Sequence, residues 1–384
     1  MRIGLFTDAY YPIISGVTIS VDILRTELLK LGHEVIVVTY EHDDAVDSKG
    51  IIRLKGRKPP IKVMGEYRIG KVTKKKIGKI KELNLDIIHC HTEFTIGRLG
   101  RKAAKELNIP VVHTYHTMYE DYIHFISKIF SGPLKFTAKK YSKSFADSAD
   151  SVIFPTIKVK NAFDGYGFLK DSSIVPTGIY LEKFRRNNFS NKDLEELKKD
   201  LNINKDDLVM LFLGRMSREK GIDDLLDNCK DICSTNDNVK LLLVGDGPDF
   251  DYFYKKTKDL GFNNKVIFTG MVEPEDVGIY YHIADLFINF SITETQGLTY
   301  IEALASGLPL LVKYDDNLQG VIKDGVNGFS FTKNSDFISL FNKLSKNKIL
   351  LEEFACNTYK DIQRFSSENF AKNVLKVYDD LLKK

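Results

Sequence analysis

Short apolar runs return along this chain with helix-like segments between them, and that alternation constrains the fold more than any other feature. In the first half the runs are RIGLFT, EVIVVT, LDIIHCH, IPVVHTYH, DSVIFPT and SSIVPTG. In the second half they are LVMLFLG, VKLLLVG, KVIFTG, ADLFINF and LPLLVK. Apolar runs of this kind are strands buried on both faces. The segments between them, such as VTISVDILRTELLKLG, GRLGRKAAKELN, GIDDLLDNCKDI and GLTYIEALASG, carry apolar residues at helical spacing. Strand–helix–strand repetition builds a parallel sheet with helices on both sides. The expected fold is α/β with two doubly wound domains, which suits a chain of 384 residues. Pro176 and Gly178 in VPTGIY punctuate the joint. The expected domains are 1–176 and 177–363, with the tail 364–384 (its helix is SENFAKNVLKVYDDLLKK) packing back on the first.

Open parallel sheets bind ligands at the carboxyl ends of their strands, so residues that directly follow the runs are the candidates for chemistry. After LVMLFL come Gly214, Arg215 and then Lys220-Gly221 opening a helix. Two cations beside a helix N-terminus suit a diphosphate; a solvated basic turn is the bland reading. After VKLLLV, Gly245, Gly247 and Pro248 form a tight turn whose backbone can approach a ligand. A dinucleotide fingerprint needs a third glycine where Phe250 stands, which counts against a nicotinamide enzyme. Asp249 and Asp251 read as acids of a first helical turn rather than as a metal–nucleotide site.

After ADLFINF comes SITETQGLTYIEALASGLPLL, in which Glu294 and Glu302 are the only charges. Glu294 lies just before a helix that starts near Gly297, and Glu302 lies eight residues, about two turns, on from Glu294. A buried carboxylate without a partner is costly. Vicinal sugar hydroxyls can satisfy one through bidentate hydrogen bonds. A hexose on Glu294, a ribose on Glu302 and a phosphate between them at the helix N-terminus would satisfy both. The alternative is that both carboxylates bridge to basic residues elsewhere.

GRMSREKG, VGDGP and ETQGLTYIEALASGLP resemble the donor-site motifs of glycosyltransferase family 4, and the resemblance covers essentially the whole chain. It implies a GT-B fold, two Rossmann-like domains facing a cleft, and a retaining transferase that uses a nucleotide sugar. It places Arg215 and Lys220 on the donor diphosphate, Glu302 on the ribose and Glu294 on the donor sugar. Backbone amides of Gln296, Gly297, Leu298 and Thr299 are implied to contact phosphate and sugar. The sequence departs at Gln296, where many members have phenylalanine. Gly16 in YYPIISGV matches the family's glycine loop after the first strand, which approaches the donor phosphate. His116 in VVHTYHTMYEDY matches its cleft histidine and, with Glu294, is the expected catalytic residue. His91 and His113 read as core histidines. Retention without an enzyme nucleophile implies same-face attack, the leaving diphosphate helping to take the acceptor proton. The histidines and acids form no metal triad. No dedicated metal and no tightly bound cofactor are expected, and Arg215, Lys220 and the helix dipole neutralise the diphosphate.

Charge is unevenly divided. Residues 1–176 hold 28 Lys and Arg against 19 Asp and Glu, whereas the rest hold 28 against 33. Residues 53–82 carry 12 Lys and Arg with two Glu, and residues 123–145 carry five Lys among aromatic and aliphatic side chains. Such a surface suits an anionic bilayer, with a solvated charged face as the bland alternative. No nucleic-acid recognition motif accompanies the charge. MGEYRIG, HTYHTMYEDYIHFI and YDDNLQGVI resemble bacterial diacylglycerol glucosyltransferases within the same family. That resemblance implies a monotopic enzyme of glycolipid synthesis, moving α-glucose from UDP-glucose to diacylglycerol, with UDP-galactose and GDP-mannose behind as donors. The alternative is the same fold acting on a soluble sugar, phospholipid or protein acceptor. MRIGLFTDAYYP has no leader pattern and no apolar run reaches the length of a membrane span. The expected location is cytoplasmic, peripheral on the inner face of the cell membrane. The scattered Cys90, Cys229, Cys233 and Cys356 are expected as buried free thiols.

Overall fold

The computed structural model describes residues 1–46, 48–59, 67–118 and 131–383. The chain divides into two compact units, Met1–Gly178 with Ser366–Lys384, and Ile179–Phe365. Parts of the two basic, aromatic segments (60–66 and 123–130), with much of MGEYRIG and HTYHTMYEDYIHFI, lie outside the described residues.

The first unit is built on strands β1 (Arg2–Phe6), β2 (Glu34–Tyr40), β3 (Ile51–Leu54), β4 (Ile87–Cys90), β5 (Val111–Thr114), β6 (Ser151–Phe154) and β7 (Ser172–Ile174). They form one parallel sheet in the order β3-β2-β1-β4-β5-β6-β7. The order reverses beside β1, which is the doubly wound arrangement. Ile3, Leu5, Val37, Ile88, Val112 and Val152 are buried, as apolar runs covered on both faces require. Polar residues interrupt this core at the carboxyl ends of the strands, and they are partnered. Asp8 accepts hydrogen bonds from Thr92 Oγ1 (2.6 Å), Thr95 Oγ1 (3.0 Å) and the Ile96 amide (2.9 Å). Its carboxylate thereby ties the end of β1 to the start of the Thr95–Leu107 helix.

The last helix, Ser367–Leu382, belongs to this unit. Its buried Phe370, Val374, Val377 and Tyr378 recur at three- and four-residue spacing and form one apolar stripe. It packs on the Gly16–Lys30 helix, where Ser367 Oγ donates to Glu27 Oε1 at 3.1 Å.

The second unit carries β8 (Leu208–Leu213), β9 (Val239–Val244), β10 (Val266–Phe268), β11 (Leu286–Asn289), β12 (Leu310–Lys313) and β13 (Gly328–Phe331). This sheet is also parallel, in the order β10-β9-β8-β11-β12-β13. Because β8 and β11 are neighbours, the loops that follow them lie side by side. The glycine turn after β9 packs against a neighbouring loop. A Cβ on Gly247 would sit 2.5 Å from the Met216 carbonyl, so the room left by the missing side chain is filled by the backbone of the loop after β8. Met216 N donates to Asp246 O and Asp249 N to Met216 O, each at 3.0 Å.

Cys90, Cys229 and Cys233 are buried, but Cys356 is exposed, contrary to expectation. On the Lys348–Thr358 helix it points away from the face that buries Phe354 and Thr358. Among the described residues no helix is long and apolar enough to cross a membrane.

Candidate active site

In the second unit the loops after β8 and β11 bring two candidate residues into contact. Thr293 Oγ1 donates to the Glu219 carbonyl at 2.9 Å, and Lys220 Nζ lies 2.6 Å from Glu294 Oε1. Both charged side chains are only 17% exposed, so the pair is less screened by water than a surface ion pair. Glu294 was expected to meet sugar hydroxyls; before any ligand arrives, Lys220 already satisfies it. Arg215 is exposed, and its guanidinium forms no ion pair among the described residues. It is the uncommitted cation of this loop.

Glu302 is partly buried on the Leu298–Ala305 helix and accepts a hydrogen bond from Tyr281 Oη at 2.6 Å. Burial raises its pKa, and the tyrosine hydroxyl offsets part of that rise. Neither carboxylate is left bare, but among the described residues only Glu294 bridges to a base.

The same helix begins at Gly297, whose φ of 76° is left-handed. A Cβ there would lie 2.4 Å from the Tyr300 ring, so the position accepts only glycine. No side chain caps this end and its first turn holds no acid. The helix therefore presents Leu298 and Thr299 amides and a positive dipole to an anion. The Ile222–Thr235 helix beside Lys220 is less suited than expected, because Asp223 and Asp224 occupy its first turn. Gln296 is buried, and its carbonyl accepts from Asn317 Nδ2 at 3.0 Å. Sequence reading missed both Tyr281 and Asn317. Asn317 lies in YDDNLQGVI, which drew notice only as a resemblance.

In the first unit Gly16 opens the Gly16–Lys30 helix, capped by Ser15 Oγ accepting from Thr18 N at 3.2 Å. A Cβ on Gly16 would meet nothing within 4 Å, so this backbone is open. His116 follows β5 and is partly exposed. Its Nε2 lies 3.1 Å from His91 Nδ1. Burial, with a smaller contribution from His113, pushes the His116 pKa down to about 3, so the ring is neutral at physiological pH. His113 is the core histidine expected, with Nδ1 on the Cys90 carbonyl (2.9 Å) and Nε2 on Glu93 Oε1 (3.0 Å). His91 is buried as well, at 1% exposed, but its ring bonds to His116 rather than to backbone. Among the described residues no group of three or more His, Cys, Asp or Glu could hold a metal ion.

Anabaena HepE in complex with UDP and glucose superposes with a TM-score of 0.78 at 18% identity, covering 99% of this chain and 100% of its own. WaaG, a glycosyltransferase involved in lipopolysaccharide biosynthesis, gives a TM-score of 0.72 at 17% identity, with 97% and 99% covered. The fold is GT-B, that of two Rossmann-like domains carried by glycosyltransferases. Residues 14–183 match the glycosyltransferase family 4 model, and residues 193–361 match that of glycosyl transferases group 1. The alpha-monoglucosyldiacylglycerol synthase of Acholeplasma laidlawii is 35% identical over 100% of this chain and 98% of its own length. The protein of the same name from Streptococcus pneumoniae is 37% identical, covering 100% of this chain and 86% of its own. This chain belongs to glycosyltransferase family 4.

Proposed function

We propose that the protein moves α-glucose from UDP-glucose to diacylglycerol with retention, making a monoglucosyl-diacylglycerol at an anionic membrane surface. The observation that carries the reading is the Lys220–Glu294 pair, 2.6 Å apart, in a chain 35% and 37% identical over its full length to two alpha-monoglucosyldiacylglycerol synthases. The second unit (177–363 in the sequence reading) takes the nucleotide sugar. Arg215 and Lys220 meet the diphosphate, together with the amides of Gln296, Gly297, Leu298 and Thr299 at the uncapped helix. Glu302 receives the ribose hydroxyls on the carboxylate edge that Tyr281 leaves open. Glu294 receives sugar hydroxyls and, by sharing Lys220 with the phosphate, couples the two halves of the donor. The first unit (1–176 with the tail 364–384) takes the acceptor, with Gly16 at the start of the helix after β1 and His116 after β5. Its basic, aromatic segments hold the enzyme peripherally on the inner face of the cell membrane.

The leaving group is charged, and a positive helix end and two cations stabilise charge that develops on it. Attack from the same face, with the departing diphosphate taking the acceptor proton, retains configuration without an enzyme nucleophile. The test is to incubate the protein with UDP-glucose and diacylglycerol in anionic vesicles and to analyse the lipid extract by mass spectrometry. A monohexosyl-diacylglycerol is expected. UDP release without a glycolipid would keep the donor site and reject the lipid acceptor in favour of a soluble one.

A further inference from the structure

We infer that His91 sets the tautomer of His116, leaving Nδ1–H of His116 to donate a hydrogen bond to a ligand oxygen; this rests on the placement of His116 in the active site. The two residues come from the ends of β4 and β5, which are neighbours in the sheet. Their 3.1 Å contact joins two ring nitrogens, so it holds a single proton. Two arrangements are possible. In one, His91 Nδ1–H donates to His116 Nε2. In the other, His116 Nε2–H donates to His91 Nδ1, and the neutral His91 must then carry its proton on Nε2.

The surroundings of His91 choose between them. His91 is 1% exposed, and its Nε2 is buried with no hydrogen-bond partner among the described residues. A buried N–H without an acceptor is rarer and costlier than an underused acceptor. A bare lone pair at Nε2 is therefore favoured, which puts the His91 proton on Nδ1 and directs it at His116. Protonating both nitrogens of His91 would leave the same orphaned N–H and bury a charge as well. Nor can the neighbouring ring rescue Nε2. His89 lies against His91 with centroids 4.0 Å apart, but both its nitrogens are engaged, Nδ1 with Tyr378 Oη (2.6 Å) and Nε2 with Thr114 Oγ1 (2.7 Å).

The proton of the neutral His116 ring then sits on Nδ1, the nitrogen that makes no protein hydrogen bond among the described residues. The consequence is chemical. With Nε2 occupied and Nδ1 protonated, His116 offers a donor and no lone pair. It can hold a ligand oxygen but cannot take the acceptor's proton, which must leave by another route such as the departing diphosphate. His91 acts only through His116 and is a positioning residue.

The experiment is a long-range proton–nitrogen correlation spectrum of the full-length, ligand-free protein labelled at its eight histidines, near neutral pH. The His116 signals, assigned with His116→Phe, are expected to show the Nδ1–H form. An Nε2–H form, or an averaged pair, would overturn the inference. Two isosteric variants extend the test. The amide of His91→Asn overlays Nδ1–H and should keep the His116 tautomer and most of the turnover. His91→Asp offers only an acceptor at that place and should switch His116 to Nε2–H. Its kcat should fall about tenfold, the worth of one neutral hydrogen bond, with the affinity for UDP unchanged. Equal kcat in the two variants would also overturn the inference. A fully active His116→Phe would instead overturn the site reading beneath it while leaving the wild-type spectrum as it is.

Discussion

Lys220 and Glu294 neutralise one another across 2.6 Å, and each needs the other before a ligand arrives. Glu294→Ala is expected to reduce transfer about a hundredfold, the scale of losing one well-placed polar group at a reacting centre, while the protein stays folded by circular dichroism. Full activity in that variant would remove Glu294 from the site. Glu302 makes a different prediction. An acid whose folded pKa is raised adds stability that is complete below the ordinary carboxylate pKa and lost as pH rises through the folded value. The buried carboxylate therefore burdens the ligand-free protein at neutral pH. Glu302→Gln should raise the Tm at pH 7 by about 2–4 °C, with the gap closing near pH 4, and should lose the thermal stabilisation given by UDP-glucose. Calorimetry with and without the nucleotide sugar checks both. The identities of Glu294, Glu302 and Lys220 could be read in the sequence, because Lys220 and Glu294 lie in loops between a strand and a helix and Glu302 is the one charge on an otherwise uncharged helix. Their partners could not. Lys220 meets Glu294 and His91 meets His116 because particular strands are neighbours, and Tyr281 meets Glu302 because the helices before and after β11 pack together; no local pattern states either arrangement.

Elements were legible in proportion to how completely they are buried. The runs that became β1, β2, β8 and β9 announce themselves because both faces are covered. β3 and β13, the strands IIRL and GFSF, went unnoticed: each is four residues long and stands at the edge of its sheet, partly exposed. The Lys74–Lys81 helix was hidden in a charge run, since it buries only Ile77 and Ile80. The Leu298–Ala305 helix was foreseen, but the reason for its starting point was not. Its first turn depends on Gly297 being left-handed and leaving room for Tyr300. Gly297→Ala would impose both a strained φ, costing about 1–2 kcal/mol, and a clash with that ring. The free variant relaxes this turn and must restore it on binding, so it is expected to bind UDP about five- to thirtyfold more weakly, as titration calorimetry would show. Unchanged affinity would mean that this helix end does not hold the phosphates.

The two units should respond differently to acid. His89, His91 and His116 all have pKa values lowered chiefly by burial, and all lie in the first unit. Bases with lowered folded pKa values contribute stability that is present above the ordinary histidine range and lost as pH falls through it. Below about pH 6.5 the first unit should lose stability with a slope approaching three protons. Asp8, its pKa raised by burial, acts in the opposite sense at lower pH. In the second unit His282 alone is lowered. Hydrogen exchange at pH 7.5 and 5.5 should show the first unit opening before the second; equal protection at both pH values would contradict this. The Ser367–Leu382 helix gives the first unit a further dependence. A chain ending at Phe365 should exchange faster along Gly16–Lys30 while the Ile179–Phe365 amides stay protected. The same helix has a consequence for biosynthesis. A ribosome adds some 5–20 residues each second, so the second unit is fully made while the first still waits, roughly 10–40 s after Gly178, for its closing piece. The half that is translated first is completed last, and until then the face of Gly16–Lys30 that the last helix covers lies bare to whatever chaperone attends the nascent chain.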